Sequence, residues 1–471
     1  MHDLGGFMDY REFLEGKRFL IEPSGFEVNR NNLNIKLFDF QRDIDYWCLK
    51  KGKSAIWADC GLGKTPMQLE YGKQIYTQTG DDVLIVAPLA VSLQTKREGL
   101  KFGIETNICR TQTDVKPGIN ITNYEMIGHF DFSRFKGVIL DESSILKGYD
   151  RHYSQMLTEL CKDVPYKLSC TATPAPNDFM ELGTQCQWLG IMSRSEMLAT
   201  FFVHDGGDTS KWRLKGHAED KFWEWVSSWA VVLQKPSDLG YSDDGFNLPP
   251  LNIHEIVVES PLNNDSGQMS LIPELALTLN DRRSARKDSL ESRVKKAAEL
   301  VNSNDEQWLV WCDLNNESEA LKKAIPGAVE VKGSDKNEHK EQSAIKFANK
   351  EIRVIVSKPS IFGWGINWQQ CRNMVFVGLS DSYEQLYQAI RRCWRFGQTN
   401  SVNVYMIISE SEGAVKANIE RKEADAQRMM SEMVKYTKDI LTKEIHGTKS
   451  EKIGYNPQVE MTLPGWLGGA V

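Results

Sequence analysis

Residues 54–65 read SAIWADCGLGKT, Ser54 to Thr65. The apolar run Ala55, Ile56, Trp57 and Ala58 predicts a buried strand. Gly61 and Gly63 predict a tight turn, and the spacing of Met67, Leu69 and Tyr71 predicts a helix after it. Strand, glycine turn, Lys-Thr and helix together make a phosphate cradle, because backbone N–H groups and a helix N-terminus face anionic oxygens. In such a cradle Lys64 reaches the β- and γ-phosphates of ATP and the Thr65 hydroxyl ligates Mg²⁺. The pattern usually opens with glycine six residues before the lysine, where this chain has Ala58.

Upstream, Phe38 and Gln41 precede a helix-like run through Ile44, Trp47 and Leu49. An aromatic ring and an amide so placed suit adenine stacking and edge reading. They suit a core aromatic and a surface glutamine equally well. Downstream, residues 83–87, 119–122, 138–140 and 167–170 are short apolar runs, as expected of buried parallel strands. The third ends directly in Asp141-Glu142-Ser143-Ser144. Carboxylates at the C-terminal end of such a strand lie on the ligand-binding edge of an open α/β sheet. Asp141 there holds Mg²⁺ through water, and Glu142 orients or deprotonates the attacking water.

Residues 183–248 break the strand–helix rhythm and carry Trp188, Trp212, Trp223, Trp225 and Trp229. Phe222, Trp223, Val226 and Trp229 have helical spacing, so most of these rings are expected in a core, with a base-stacking platform as the lesser reading. Leu248-Pro249-Pro250-Leu251 marks a boundary. Beyond it, strand-like runs at 253–258, 308–312, 329–331, 354–356, 374–377 and 402–408 predict a second parallel α/β domain without a phosphate loop. A basic stretch, Arg282, Arg283, Arg286, Lys287, Arg293, Lys295 and Lys296, reads as a solvated face or as phosphate contacts. On a helix Arg392 and Arg395 share one face, which suits charge developing on a phosphate held by the other domain, although by themselves they read more readily as a pair of surface arginines. Residues 411–446 read as a long helix and 447–471 as a loose tail in which Trp466 and Leu467 could dock. The expected division is therefore 1–250, 251–446 and 447–471.

The 471 residues exceed one core, and 41% hydrophobic with 26% charged residues is ordinary for a soluble chain. No apolar run is long enough to span a membrane, and the first 16 residues lack the apolar core of a secretory signal. Nine cysteines without a CxxC pair suggest reduced thiols in a cytosol rather than disulfides or zinc. A net charge of −7 argues against coating nucleic acid by bulk attraction and leaves a local basic track open.

Taken in order, these motifs resemble those of superfamily 2 helicases, and within them the Swi/Snf-type double-stranded DNA translocases. ADCGLGKT (58–65) resembles motif I, with Gln41 as the glutamine motif. APLAVSLQTKRE (87–98) is similar to motif Ia, TNYE (122–125) to motif Ib, DESS (141–144) to DExH, and TATPAPNDFMEL (171–182) to motif III. VWCDL (310–314) resembles motif IV, Gly333-Ser334 the pair that follows it, GWGIN (363–367) motif V, and QAIRRCWRFGQ (388–398) motif VI. The short lobes look most like the compact versions of tailed phages and prophages. Ser144 stands where the family has the histidine of DExH, which puts coupling in doubt more than hydrolysis. Trp394 replaces another histidine.

The resemblance implies an α/β fold of two RecA-like parallel-sheet domains in tandem, with ATP and Mg²⁺ between them. It implies nucleotide contacts from Phe38, Gln41, Gly61, Gly63, Lys64, Thr65, Gly365 and Gln398, and metal contacts from Thr65 and Asp141. It implies catalysis by Lys64, Asp141, Glu142, Arg392 and Arg395. DNA, duplex or branched and gripped without sequence preference, is expected at Pro88, Leu89, Thr122, Asn123, Tyr124, Gly333 and Ser334. A strand-separating helicase on DNA or RNA and a nucleotide-gated clamp with little turnover are the alternatives.

Overall fold

The apolar runs pair as parallel strands, and they do so in two separate sheets. The computed structural model describes residues 21–147, 152–175, 178–205, 208–258, 289–362, 366–380, 382–409 and 413–446. The first lobe contains β1 (Lys53–Ala58), β2 (Val83–Ala87), β3 (Thr106–Ile108), β4 (Ile119–Asn123), β5 (Gly137–Asp141) and β6 (Tyr166–Thr171). It continues with β7 (Phe202–Asp205), β8 (Asp208–Leu214) and β9 (Ala230–Leu233). Its main sheet runs β3-β4-β2-β5-β6-β1-β9, and β7 and β8 form a separate antiparallel pair. The second lobe contains β10 (Leu251–Val258), β11 (Trp308–Cys312), β12 (Val329–Val331), β13 (Val354–Ser357), β14 (Asn373–Val377) and β15 (Val402–Ser409). These run β10-β15-β14-β11-β13-β12. Every pairing in the two main sheets is parallel. Strands buried on both faces must be apolar throughout, which is why β2 and β11 read as unbroken runs. The expected tandem of parallel α/β domains is therefore the fold observed.

Six helices place the functional side chains: α1 (Asp39–Lys51), α2 (Lys64–Thr79), α3 (Ser92–Phe102), α4 (Glu219–Ser227), α5 (Tyr383–Ile390) and α6 (Gly413–Ile445). Phe222, Trp223, Val226 and Trp229 join the first lobe's core, as their spacing implies. Trp188, Trp223, Trp225 and Trp229 are at most 1% exposed, so none of these rings is a platform for bases. The tryptophan-rich segment is also less of an insertion than its composition suggests. It supplies β9, which pairs with β1 beside the phosphate loop, and Trp229 packs edge-on against Trp57.

Two expectations need correction. Arg293, grouped with the basic stretch read as a solvated face or as phosphate contacts, is fully buried. Its guanidinium pairs with Glu317 at 2.8 Å and donates to the Val377 carbonyl, so it staples the second lobe internally. Arg282, Arg283, Arg286 and Lys287 lie outside the described residues, as does the tail at 447–471. The long helix α6, assigned wholly to the second lobe, crosses between the lobes. Val415 and Ile419 sit in the second lobe's core, whereas Met429, Met433, Val434, Leu441 and Ile445 sit in the two cores of the first. Its far end is held by Glu444, which accepts from Trp47 Nε1 at 2.7 Å, and by a parallel stack of Tyr436 on Trp223. Among the described residues no helix is long and apolar enough to cross a membrane.

Candidate active site

The loop between β1 and α2 carries two glycines in left-handed conformation, Gly61 at φ 92° and Gly63 at φ 78°. Each is also fixed by a close approach. A Cβ on Gly63 would lie 2.1 Å from Gln41 Nε2, and one on Gly61 would lie 2.9 Å from the Phe396 nitrogen of the other lobe. Helix α2 begins at Lys64, so its free N–H groups open towards the cleft. Lys64 Nζ donates to the carbonyls of Ala58 at 2.8 Å and Asp59 at 3.4 Å.

Across the sheet, β5 ends at Asp141, whose Oδ1 accepts from Gln68 Nε2 at 2.7 Å. Glu142 follows with φ 55°, an uncommon conformation for a residue with a side chain. Its Oε2 is buried and accepts no hydrogen bond from the protein. Burial pushes the pKa of both carboxyls above the ordinary range, and the nearby Lys64 and Arg392 pull the other way. The strand end is tied to neighbouring segments. Tyr124 donates to the Asp141 carbonyl at 2.6 Å. Ser169 on β6 donates to Gln185 Oε1 at 2.5 Å and lies 2.8 Å from the Ser143 hydroxyl. Ser144 is itself buried at the floor of the larger interlobe cleft.

From the second lobe, Arg392 is 2% exposed and donates to the Gln388 carbonyl, Gln388 Oε1 and the Ile366 carbonyl at 2.7, 2.7 and 3.0 Å. Arg395 donates to the same Ile366 carbonyl at 3.2 Å. Burial and the adjacent Arg392 charge push the Arg395 pKa down to about 10. The two arginines do not lie on a helix, because α5 stops at Ile390. Successive turns after it aim both into the cleft.

Phe38, Gln41, Gly61, Gly63, Lys64, Thr65, Asp141, Glu142, Arg392 and Arg395 thus line one cavity of about 200 Å³ between the lobes. The Thr65 hydroxyl and the Asp141 carboxylate give it the hard oxygen donors that suit Mg²⁺. Gln41 is braced at both ends, accepting from the Phe38 N–H and donating to the Leu62 carbonyl, so it shapes the phosphate loop. Gln398 is a correction. It does not line the cavity, because its amide donates to the carbonyls of Cys371 and Cys393 and so holds the arginine segment from behind. Gly365 lies outside the described residues.

Sequence reasoning missed Phe246 and Phe396, which close the mouth with Phe38. Their centroids lie 4.9 Å apart, and Phe38 is 5.0 Å from Phe246. It also missed Gln94, Glu98, Asn367 and Gln369 in the wall. A run FGQ after the arginines was the available signal for Phe396.

A second cleft of about 700 Å³ runs between the lobes, lined by Pro88, Leu89 and Tyr124 on one side and Gly333, Lys340 and Ser360 on the other. Thr122 and Asn123 do not reach it. Both belong to β4 and are buried, at 1% and 6% exposure. Ser334 is exposed beside Gly333 but outside the cleft lining.

A phosphate loop and a strand-end carboxylate pair facing two arginines of a second parallel-sheet lobe define a helicase-type P-loop NTPase. Residues 292–397 match the Helicase conserved C-terminal domain family. Over 417 residues the chain is 23% identical to a Xenopus laevis SWI/SNF-related matrix-associated actin-dependent regulator of chromatin subfamily A-like protein 1, covering 79% of this chain and 42% of that protein. Over 425 residues it is 22% identical to Bos taurus DNA annealing helicase and endonuclease ZRANB3, covering 80% of this chain and 39% of that protein. It also aligns with the Sulfolobus solfataricus SWI2/SNF2 ATPase core in complex with dsDNA, with a TM-score of 0.41, 17% identity, and 89% and 98% of the two chains covered. The chain is thus similar to superfamily 2 helicases, and among them to proteins of the Swi/Snf type. It spans about two fifths of the length of the curated relatives it matches.

Proposed function

We propose that this chain is a DNA-dependent ATPase that moves along duplex or branched DNA without separating its strands. The observation that carries the reading is one cavity built from both lobes. Lys64, Thr65, Asp141 and Glu142 come from the first lobe and Arg392 and Arg395 from the second. In this reading Lys64 and the N–H groups of α2 hold the β- and γ-phosphates of ATP. Thr65 and Asp141 hold Mg²⁺, which supplies charge neutralisation on the phosphate oxygens. Glu142 accepts a proton from the attacking water, and its buried, unpartnered Oε2 is free to do so. Arg392 and Arg395 stabilise the charge that spreads over the transferred phosphoryl oxygens. Their guanidinium groups reach that charge only with the lobes together, so nucleotide and lobe closure favour each other.

The second cleft, which takes residues from both lobes, is where a DNA backbone would bridge them. Pro88, Leu89, Tyr124 and Gly333 are its proposed contacts. Two further observations support duplex remodelling over strand separation: the ZRANB3 relative is a DNA annealing helicase, and four of the five tryptophans that could have formed a base platform, Trp188, Trp223, Trp225 and Trp229, are in the core. The test is ATP turnover with duplex, forked and single-stranded DNA and RNA. The expected order puts duplex or forked DNA first. Stimulation by RNA alone, or by single strands alone, would overturn the proposal.

A further inference from the structure

Helix α5 presents Glu384, Tyr387 and Gln388 to the first lobe, and Arg391, the residue that caps its C-terminal end, continues the same stripe. Glu384 Oε2 pairs with Lys147 Nζ, and its Oε1 accepts from the Thr173 hydroxyl at 3.3 Å. The Tyr387 hydroxyl and the Arg391 guanidinium both donate to the Asp59 carboxylate. Gln388 Oε1 lies 3.9 Å from Cys60 Sγ and also accepts from Arg392 Nη2 at 2.7 Å. The first-lobe partners belong to, or follow closely on, the segments that line the candidate nucleotide cavity. Asp59 and Cys60 begin the phosphate loop, Lys147 follows the Asp141–Glu142 strand end, and Thr173 follows β6. Glu384 and Arg391 are 6% and 3% exposed, so the closed lobes bury both charges. Burial alone raises the Asp59 pKa, and the Arg391 charge outweighs it, so the carboxyl titrates below its usual range. Arg391 lies over the Trp394 ring at 4.9 Å, and Trp394 Nε1 donates to the Pro249 carbonyl of the interlobe linker at 2.7 Å.

We propose that Glu384 and Arg391 are positioning residues that couple the lobes, through Lys147 and Thr173 on one side and Asp59 on the other. A buried ion pair contributes through its closed geometry, because an unmatched charge left in the interface is strongly unfavourable. Removing one partner therefore opens the lobes without unfolding either, since each charge becomes solvated on opening. The proposal rests on the ATPase reading for its kinetic part and on the contacts alone for its conformational part.

The experiment uses the full chain with Glu384→Lys, Lys147→Glu, the double exchange, and Arg391→Gln. Four quantities are read: small-angle scattering without nucleotide, binding of a fluorescent ATP analogue, ATP turnover with duplex DNA, and Tm. Each single substitution should enlarge the radius of gyration and lower kcat on the order of 10-fold, the scale of coupling between contacting residues. ATP affinity should stay within about threefold, because the phosphate loop is intact. The double exchange should restore both compactness and kcat to within about threefold of the parent, by the logic of a mutant cycle. A purely structural role would lower Tm and leave kcat per folded molecule unchanged, and that result would overturn the proposal. So would unchanged scattering in the singles, or a double exchange as impaired as the worse single. If the parent itself hydrolyses no ATP, the proposed function falls, while the scattering of the singles and the double still decides the coupling contact.

Discussion

Arg395→Ala and Arg392→Ala separate the chemistry of the two fingers from their packing. Arg392 makes three buried hydrogen bonds, to two carbonyls and one amide oxygen. Bonds from a charged donor are worth about 1.5–3 kcal/mol each, and they are not additive. We therefore expect Arg392→Ala to destabilise the second lobe by about 4 kcal/mol. At about 2–4 °C per kcal/mol, that is a fall in Tm on the order of 10 °C. Arg395 makes one longer bond, and its charge is opposed both by burial and by Arg392. Its removal relieves that opposition, so Arg395→Ala should change stability by less than ~1 kcal/mol. Both substitutions should lower turnover on the order of 10³-fold, about 4 kcal/mol of transition-state stabilisation. ATP affinity in Arg395→Ala should hold within a few-fold, since the first lobe makes the ground-state phosphate contacts. Steady-state ATPase, equilibrium nucleotide binding and thermal melting of both variants decide it. Turnover of Arg395→Ala within a few-fold of the parent would refute the finger assignment. Equal Tm losses in both would refute the structural distinction.

The other predictions concern single sites. Glu142→Gln keeps the shape of the site and removes its proton acceptor, so ATP should still bind while turnover falls at least ~100-fold; near-normal turnover would move the base elsewhere. Lys64→Ala should instead weaken nucleotide binding, measured by titration with a fluorescent analogue. Gly63→Ala places a Cβ 2.1 Å from Gln41 Nε2 at φ 78°, so the loop should deform and ATP binding should drop by at least ~10-fold with little loss of secondary structure, as ~1–2 kcal/mol of left-handed strain adds to the clash. Circular dichroism and titration together check that.

Lys167 is 1% exposed, and burial pushes its pKa down to about 8. Between that value and the ordinary lysine range the unfolded chain binds more protons, so this group makes stability rise with pH. The contribution should grow by about 1.5 kcal/mol from pH 8 to 9.5 and vanish in Lys167→Met, read as the difference between the two denaturation profiles.

Much of this was legible in the sequence because buried parallel strands are written as continuous apolar runs. β2, β5, β11 and β14 lie where such runs occur. The phosphate loop was legible because its glycines answer a local demand, positive φ and close approach, that few other residues meet. β9 was hidden because its four residues follow a tryptophan-rich helix, whose aromatic spacing dominates the pattern. The destination of α6 was hidden for a different reason. A helix with apolar residues on a stripe reads the same whichever lobe covers the stripe. Asp59 and Arg391 sit 332 residues apart, and opposite charges that far apart leave no pattern in a linear chain. Gln398 was misplaced because motif order says which segment a residue belongs to, not which way its amide points.

The central claim is that ATP hydrolysis moves this chain along intact duplex DNA. It is tested most directly by displacement of a third strand from a DNA triplex placed downstream on a duplex, with the parent and Glu142→Gln side by side. The account predicts ATP-dependent displacement by the parent, suppressed by raised salt as backbone contacts weaken. It predicts none by Glu142→Gln, and no separation of the underlying duplex in either case. ATP hydrolysis without third-strand displacement, or displacement accompanied by duplex unwinding, would contradict it.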